Sequence, residues 1–154
     1  MRRQMREEEQ GPLFWEVRTG SLGRDELRRF AMRLRRKVAG GREFQCLVTG
    51  DERLRELNRR FLGKDWPTDV LSFPARHGAV LGELAISIDR ARDQAREQGH
   101  TVGTEVKILM LHGLLHLLGM DHDKDRGEMA RAERGWRKKL ALPAGLIERA
   151  DDAC

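Results

Sequence analysis

The feature that most constrains this chain is a long apolar run that contains two histidines and ends at a glycine. Residues 105–118 are nearly all apolar, Thr104 suits the N-cap position and Gly119 suits the position after the last turn, so we predict a buried helix here. His112 and His116 are four residues apart, which places both imidazoles on one face of that helix. We expect the rest of the domain to pack around this element.

A third histidine follows the glycine and completes a set typical of a metal site. Gly119 can adopt a conformation that other residues resist, which allows His122 to return toward the two helical imidazoles. A lone histidine on an apolar helix is more often a hydrogen-bonded core residue, but three at this spacing are hard to obtain by chance among five histidines. Three neutral imidazoles favour one Zn²⁺ ion, and three protein ligands leave the open position of a catalytic site. We therefore predict catalytic zinc at His112, His116 and His122.

The same spacing occurs in the zinc-protease motif H-E-x-x-H-x-x-G-x-x-H, so the predicted metal helix is zincin-like. In those enzymes the residue after the first histidine is a glutamate that acts as general base. Here that residue is Gly113, which has no side chain to accept a proton. A metallopeptidase built on this motif would need a carboxylate from elsewhere in the chain.

A second group of polar and cationic residues lies between residues 58 and 72, at a predicted helix end, loop and strand start. Side chains in such loops beside a rigid strand commonly bind ligands, and cations there would hold phosphates. The candidate substrate-binding residues are Arg59, Arg60, Lys64 and Ser72, with Asn58 and Thr68 as further donors. Alternatively, Asp69 and Ser72 only stabilise the turn. We interpret Trp66 as a partly buried core residue rather than a platform for base stacking.

The length of 154 residues predicts one domain over residues 1–154 with a sizeable core. The ends, about residues 1–10 and 150–154, are expected to be flexible. No apolar run is long enough to span a bilayer, no signal-peptide region is present and two cysteines do not make a disulfide framework, so we predict a cytoplasmic location. A net charge of +5 suits a polyanionic partner, although heavy arginine use weakens that inference.

Apolar periodicity predicts four strands and about five helices. Alternation predicts strands over residues 14–17, 43–49, 70–73 and 81–88, and helical spacing predicts helices over residues 24–39, 51–62, 89–98, 105–118 and 125–140. Asp51 and Asp89 are the predicted N-caps of the second and third helices. Several connections are too short for crossovers between parallel strands, so we predict an α+β fold with a mixed sheet.

Two motifs together resemble a known family. The run HGLLHLLGMDH at residues 112–122 and the run from Leu57-Asn58 through KDWPTDVLSFP at residues 64–74 are similar to the two signatures of the YbeY family of bacterial rRNA-processing endoribonucleases. The resemblance covers about residues 58–123. It implies a single-domain, zinc-dependent RNase that cleaves single-stranded rRNA in 16S rRNA 3′-end processing and ribosome quality control. The implied partners are rRNA and the small ribosomal subunit, with neither DNA nor a membrane.

The resemblance also implies that the three motif histidines are the zinc ligands. One residue that the family uses in catalysis is, however, missing from this chain. The position at which the family has a catalytic arginine is Leu62 here, which cannot stabilise negative charge in a transition state. A ribosome-binding maturation factor with weak or no catalysis is therefore an alternative.

The general base and the attacking group are left open at this stage. A hydroxide on the metal, Asp121, Asp123 and Glu83 are candidates for the base, and either water or the 2′-hydroxyl could attack the phosphate. Asp121 is predicted either to act in catalysis or to orient an imidazole.

Overall fold

The computed structural model describes residues 11–17, 23–76 and 78–152 as a mixed four-stranded sheet with six helices. The strands are β1 (Leu13–Trp15), β2 (Glu43–Thr49), β3 (Val70–Pro74) and β4 (Val80–Ser87). The helices are α1 (Arg24–Lys37), α2 (Asp51–Leu62), α3 (Ile88–Gln98), α4 (Val102–Leu117), α5 (Glu128–Lys139) and α6 (Leu146–Asp152). The predicted α+β class and mixed sheet are confirmed. Of the ends predicted to be flexible, residues 1–10 and 153–154 lie outside the described residues, whereas residues 150–152 form the end of α6.

The sheet has the strand order β1-β2-β4-β3. Strands β1, β2 and β4 are parallel to one another, and β3 is antiparallel to β4, to which a short connection joins it. Five of the eight strand boundaries differ from those predicted by one or two residues, because β1 is Leu13–Trp15, β3 ends at Pro74 and β4 is Val80–Ser87. The antiparallel strand β3 forms one edge of the sheet, beside the helix that carries the histidines.

The two faces of the sheet are covered by different helices. Phe44, Cys46 and Val48 alternate along β2 toward the main core, which also contains the buried apolar residues of α1 and α4. The opposite face carries a smaller cluster, in which Leu54 of α2 packs against Leu71 and Ala85. The central helix α4 is therefore buried, as predicted, and lies against β3 and β4.

Helix α4 begins three residues before the predicted start. Its N-cap is Thr101, whose hydroxyl oxygen accepts the Thr104 N–H at 3.1 Å, so the prediction that Thr104 is the cap was wrong. Thr104 instead lies in the first turn, where its own hydroxyl is paired with that of Thr101 at 2.9 Å. The cap needs an extended backbone, and Thr101 has it with φ −73° and ψ 156°.

Asp51 and Asp89, the two predicted N-caps, instead bind groups at the start of each other's helix. The caps are Gly50 for α2 and Ser87 for α3. The Asp51 carboxylate accepts the Ser87 hydroxyl at 2.6 Å, and the Asp89 carboxylate accepts the Asp51 N–H at 2.9 Å. Each carboxylate accepts a hydrogen bond from a residue that is distant in the sequence, so the local sequence alone predicts the wrong partner.

The C-terminal region contains the largest difference from the predicted elements. Helix α5 begins at Glu128 rather than Asp125, because the Asp125 carboxylate accepts the Met129 N–H at 2.8 Å and so precedes the helix. The short helix α6 was not predicted, since seven residues give too little periodicity to detect. None of the helices in the described ranges is long and apolar enough to cross a bilayer.

Candidate metal centre

Three histidines converge at the C-terminal end of α4. The potential ligand atoms of His112, His116 and His122 all lie within 4.8 Å of one another. The rings of His112 and His116 are 4.8 Å apart between centroids, and that of His122 is 5.6 Å from each. His112 is buried and the other two histidines are partly exposed, so one side of the cluster contacts the core and the other side faces solvent.

The return of the chain toward the helix depends on the residue predicted for that purpose. Gly119 has φ +93°, in the region that L side chains rarely adopt. Beyond it, the Met120 N–H donates to the Leu115 carbonyl at 3.1 Å, and the His116 Nδ1 contacts the Met120 carbonyl at 2.9 Å. These bonds hold the loop against the last turn and bring His122 beside the two helical imidazoles.

A carboxylate that sequence reasoning missed supports the first histidine. The Nδ1 atom of His112 lies 2.7 Å from Oε2 of Glu133 on α5, and both side chains are buried. Glu133 occurs on the apolar face of the predicted last helix, four residues after Met129. A charged residue on that face was the signal that could have identified it, because buried carboxylates need a partner.

The hydrogen bonds of the imidazoles determine which nitrogens are available. A carbonyl can only accept, so His116 Nδ1 carries a proton for Met120, and the Glu133 carboxylate likewise favours a proton on His112 Nδ1. In the neutral rings both Nε2 atoms then present lone pairs, and they face each other at 3.2 Å. Two facing lone pairs repel unless a cation or proton lies between them, so this donor set fits a metal ion.

The electrostatics of His116 favour the neutral form that metal ligands require. Burial lowers the pKa of His116 below its usual value, and the nearby His112 lowers it further, while the bond to the Met120 carbonyl partly opposes these effects. Metal binding and protonation compete for the same lone pair, so a lowered pKa keeps His116 available to a metal.

A cavity of about 710 Å³ opens beside the cluster, between α4, β3 and the loop after α2. It is lined by His112 and His116 together with Lys64 and Ser72, two of the predicted substrate-binding residues. The Ser72 hydroxyl donates to the Gly113 carbonyl at 3.1 Å, and this bond connects β3 to α4. The lone pairs of the Ser72 oxygen can still accept hydrogen bonds from other donors.

The other two predicted substrate-binding residues lie elsewhere. Arg60 lines a separate cavity of about 580 Å³ on the opposite face of the sheet, together with Glu83, one of the candidate bases. Arg59 is exposed on α2. The structure therefore brings Lys64 and Ser72 to the histidines, whereas Arg60 and Glu83 share a different surface.

Leu62, Asp121 and Asp123 also line the cavity of the histidines. The Asp121 carboxylate accepts the Asp123 N–H at 3.0 Å and so stabilises the turn, whereas the carboxylate bound to an imidazole of α4 belongs to Glu133. Asp123 lies 3.4 Å from Nδ1 of His122 in an exposed pair. A catalytic role for Asp121 stays a prediction.

Two further residues of the second motif differ from their predicted roles. Trp66 is 55% exposed, so its interpretation as a partly buried core residue was wrong. Asn58 is buried, and its amide donates to the Trp66 carbonyl at 2.9 Å. This bond shapes the loop that carries Lys64, and because Asn58 is buried, its amide is not exposed to a substrate for which it was a candidate donor.

Gly113, which occupies the position of the protease glutamate, is packed too tightly for a side chain. A Cβ added at Gly113 would lie 2.8 Å from the Leu84 side chain and 3.1 Å from that of Val70. Helix α4 therefore crosses the sheet too closely for any side chain here without a shift of its neighbours. Similarity to a zinc-protease fold, beyond the spacing of the histidines, stays a prediction.

Comparison with known proteins agrees with both motifs. The family model of the endoribonuclease YbeY matches residues 22–141. A Solibacter usitatus protein named endoribonuclease YbeY is 60% identical over 129 residues, which is 84% of this chain and 87% of the relative. A Nautilia profundicola protein of the same name is 50% identical over 113 residues, covering 72% and 81% of the two chains. A solution structure from Thermotoga maritima is 30% identical with a TM-score of 0.59 and covers 80% of this chain and 84% of its own. The chain therefore belongs to the YbeY family of endoribonucleases.

Proposed function

We propose that this protein is a zinc-dependent endoribonuclease that cleaves single-stranded rRNA in the cytoplasm. Its proposed partners are rRNA and the small ribosomal subunit, and its proposed roles are 16S rRNA 3′-end processing and ribosome quality control, with neither DNA nor a membrane as target. Membership of an endoribonuclease family supports the reaction class.

The observation that carries the proposal is the convergence of two Nε2 lone pairs and a third imidazole at the edge of a cavity lined by a lysine. When bound there, zinc would supply Lewis-acid polarisation of a phosphate oxygen and a lowered pKa for an attacking water. Glu133 and the Met120 carbonyl keep the Nδ1 protons in place, so His112 and His116 each present Nε2. Lys64 is the cation of this cavity suited to a phosphate flanking the scissile bond.

The surroundings of the cavity favour single-stranded RNA. Leu62 and Trp66 are 51% and 55% exposed, which is unusual for large apolar side chains on the surface of a small domain. The ammonium of Lys64, which lines this cavity, lies 5.9 Å from the Trp66 ring. Unpaired bases stack on exposed aromatic rings while cations neutralise the adjoining phosphates, and bases within a duplex are not available for stacking.

The test is cleavage of labelled single-stranded RNA with the sequence of a 16S rRNA 3′ end, by the wild-type protein and by His116→Ala prepared identically. We expect cleavage by the wild type alone, loss of cleavage on chelation and its recovery with zinc. Arg96→Ala is the control, because Arg96 pairs with the exposed Asp93 and touches neither the cluster nor α6. Duplex RNA and single-stranded DNA of the same sequence should resist cleavage. A 2′,3′-cyclic phosphate end on the product would identify the 2′-hydroxyl as the attacking group.

Equal cleavage by the wild type and His116→Ala would refute the proposed metal-dependent activity. Leu62 favours one second candidate, a ribosome-binding maturation factor without catalysis, because an aliphatic side chain lines the cavity where charge stabilisation is needed. Binding of small subunits without cleavage by either protein would support that candidate, and Leu62→Arg would then be the next variant to assay.

A further inference from the structure

We propose that Glu133 is a positioning residue that couples docking of the C-terminal helix α6 to metal binding at His112. The inference rests on the metal site proposed above and extends it to an element outside both family motifs. It concerns the affinity for metal, so it can be tested without RNA cleavage.

The two oxygens of the Glu133 carboxylate have different partners. Oε2 lies 2.7 Å from His112 Nδ1, and Oε1 accepts the Ile147 N–H of α6 at 3.0 Å. Glu133 is only 1% exposed, so water is not available to replace either partner. A carboxylate held at both oxygens cannot rotate freely, and its orientation at His112 therefore depends on the position of α6.

Helix α6 is held against α4 and α5 by two further ion pairs. The Arg149 guanidinium donates to both oxygens of the buried Glu105 on α4, at 2.8 and 2.9 Å. Arg137 of α5 binds Glu148 in the same forked geometry, with one of its two bonds at 2.9 Å. Seven residues would not form a stable helix alone, so α6 depends on these contacts for its structure.

The coupling acts in both directions. If α6 leaves its place, Oε1 of Glu133 loses its donor and the carboxylate can turn away from His112, which weakens the preference for a free Nε2. Conversely, a cation on Nε2 makes the Nδ1 proton of His112 a stronger donor to Glu133, which favours the arrangement that α6 stabilises. Groups that orient metal ligands typically change the affinity by about 10–100-fold, and linkage requires the same factor in the docking of α6.

Gly145, immediately before α6, offers a precise perturbation. A Cβ at this position would overlap Oε1 of Glu133 and lie 2.6 Å from its Cδ, whereas a Cβ at Gly135 on α5 would meet nothing within 4 Å. We expect Gly145→Ala to bind zinc at least about 10-fold more weakly than the wild type in a competition with a chelator. Gly135→Ala, the same substitution on the helix that carries Glu133, should bind as the wild type does.

The second measurement uses the wild type and does not depend on any variant folding. We expect saturating zinc to slow exchange of the Ile147 and Arg149 amides by at least about 10-fold more than it slows exchange of the amides of α1. Equal slowing in α6 and α1, or equal zinc affinity of a folded Gly145→Ala variant, would refute the coupling. A wild-type chain that binds no zinc would refute the metal site itself, and with it both proposals.

Discussion

The buried ion pair between Glu105 and Arg149 gives the sharpest stability prediction. Glu105 is fully buried at the start of the metal helix, and its partners are Arg149 at 2.8 and 2.9 Å and His100 at 2.6 Å. Arg149→Met keeps most of the side-chain volume but leaves a buried carboxylate without its principal counter-charge. Breaking a buried pair in this way costs about 3–5 kcal/mol of unfolding free energy. For a domain of this size, that loss lowers the melting temperature by roughly 10 °C.

The assay is urea denaturation of the metal-free protein, followed by circular dichroism, so that zinc affinity does not contribute. The control is Arg96→Met, because the pair between Arg96 and Asp93 has side chains that are 78% and 61% exposed and should contribute less than about 1 kcal/mol. Adding Glu105→Gln to Arg149→Met should recover part of the loss, since the unpaired charge is removed. A loss below about 1 kcal/mol for Arg149→Met, or no recovery in the double variant, would refute this reasoning.

Three other outcomes are expected. Lys64→Ala should reduce the dependence of single-stranded RNA affinity on log salt by about 0.7, and Leu62→Arg should increase it by a similar amount. Arg60→Ala should leave it unchanged, because Arg60 lines the cavity on the opposite face of the sheet. Burial, then the charge of His112, lowers the pKa of His116 below 6.5, so the unfolded chain takes up a proton more readily than the folded site does. The unfolding free energy of the metal-free protein should therefore fall as the pH drops below about 6.5, and it should fall by less in His116→Gln. Burial raises the pKa of the Cys46 thiol to about 12, so alkylation and peptide mapping should modify Cys46 only after unfolding.

Elements with a strong apolar period were predicted well from the sequence. The strand over residues 43–49 has the predicted bounds, because its inward and outward side chains alternate without interruption. Helix ends were predicted less well, since Thr104, Asp51 and Asp89 all had cap-forming side chains that bind other groups in the folded chain. Propensity identifies residues able to cap, and the tertiary structure determines which of them does.

The sequence by itself determined the convergence of the three histidines, because helical geometry aligns residues 112 and 116 and a glycine at 119 permits the return of residue 122. Only the tertiary structure decided what supports and surrounds them. Glu133 and His112 are 21 residues apart, and Glu105 and Arg149 are 44 apart, so no local period relates them. Likewise, Lys64 and Arg60 have the same charge in one short segment, and the packing of α2 on the sheet assigns them to different cavities. Local geometry follows from bonded neighbours, whereas these contacts depend on how whole elements pack.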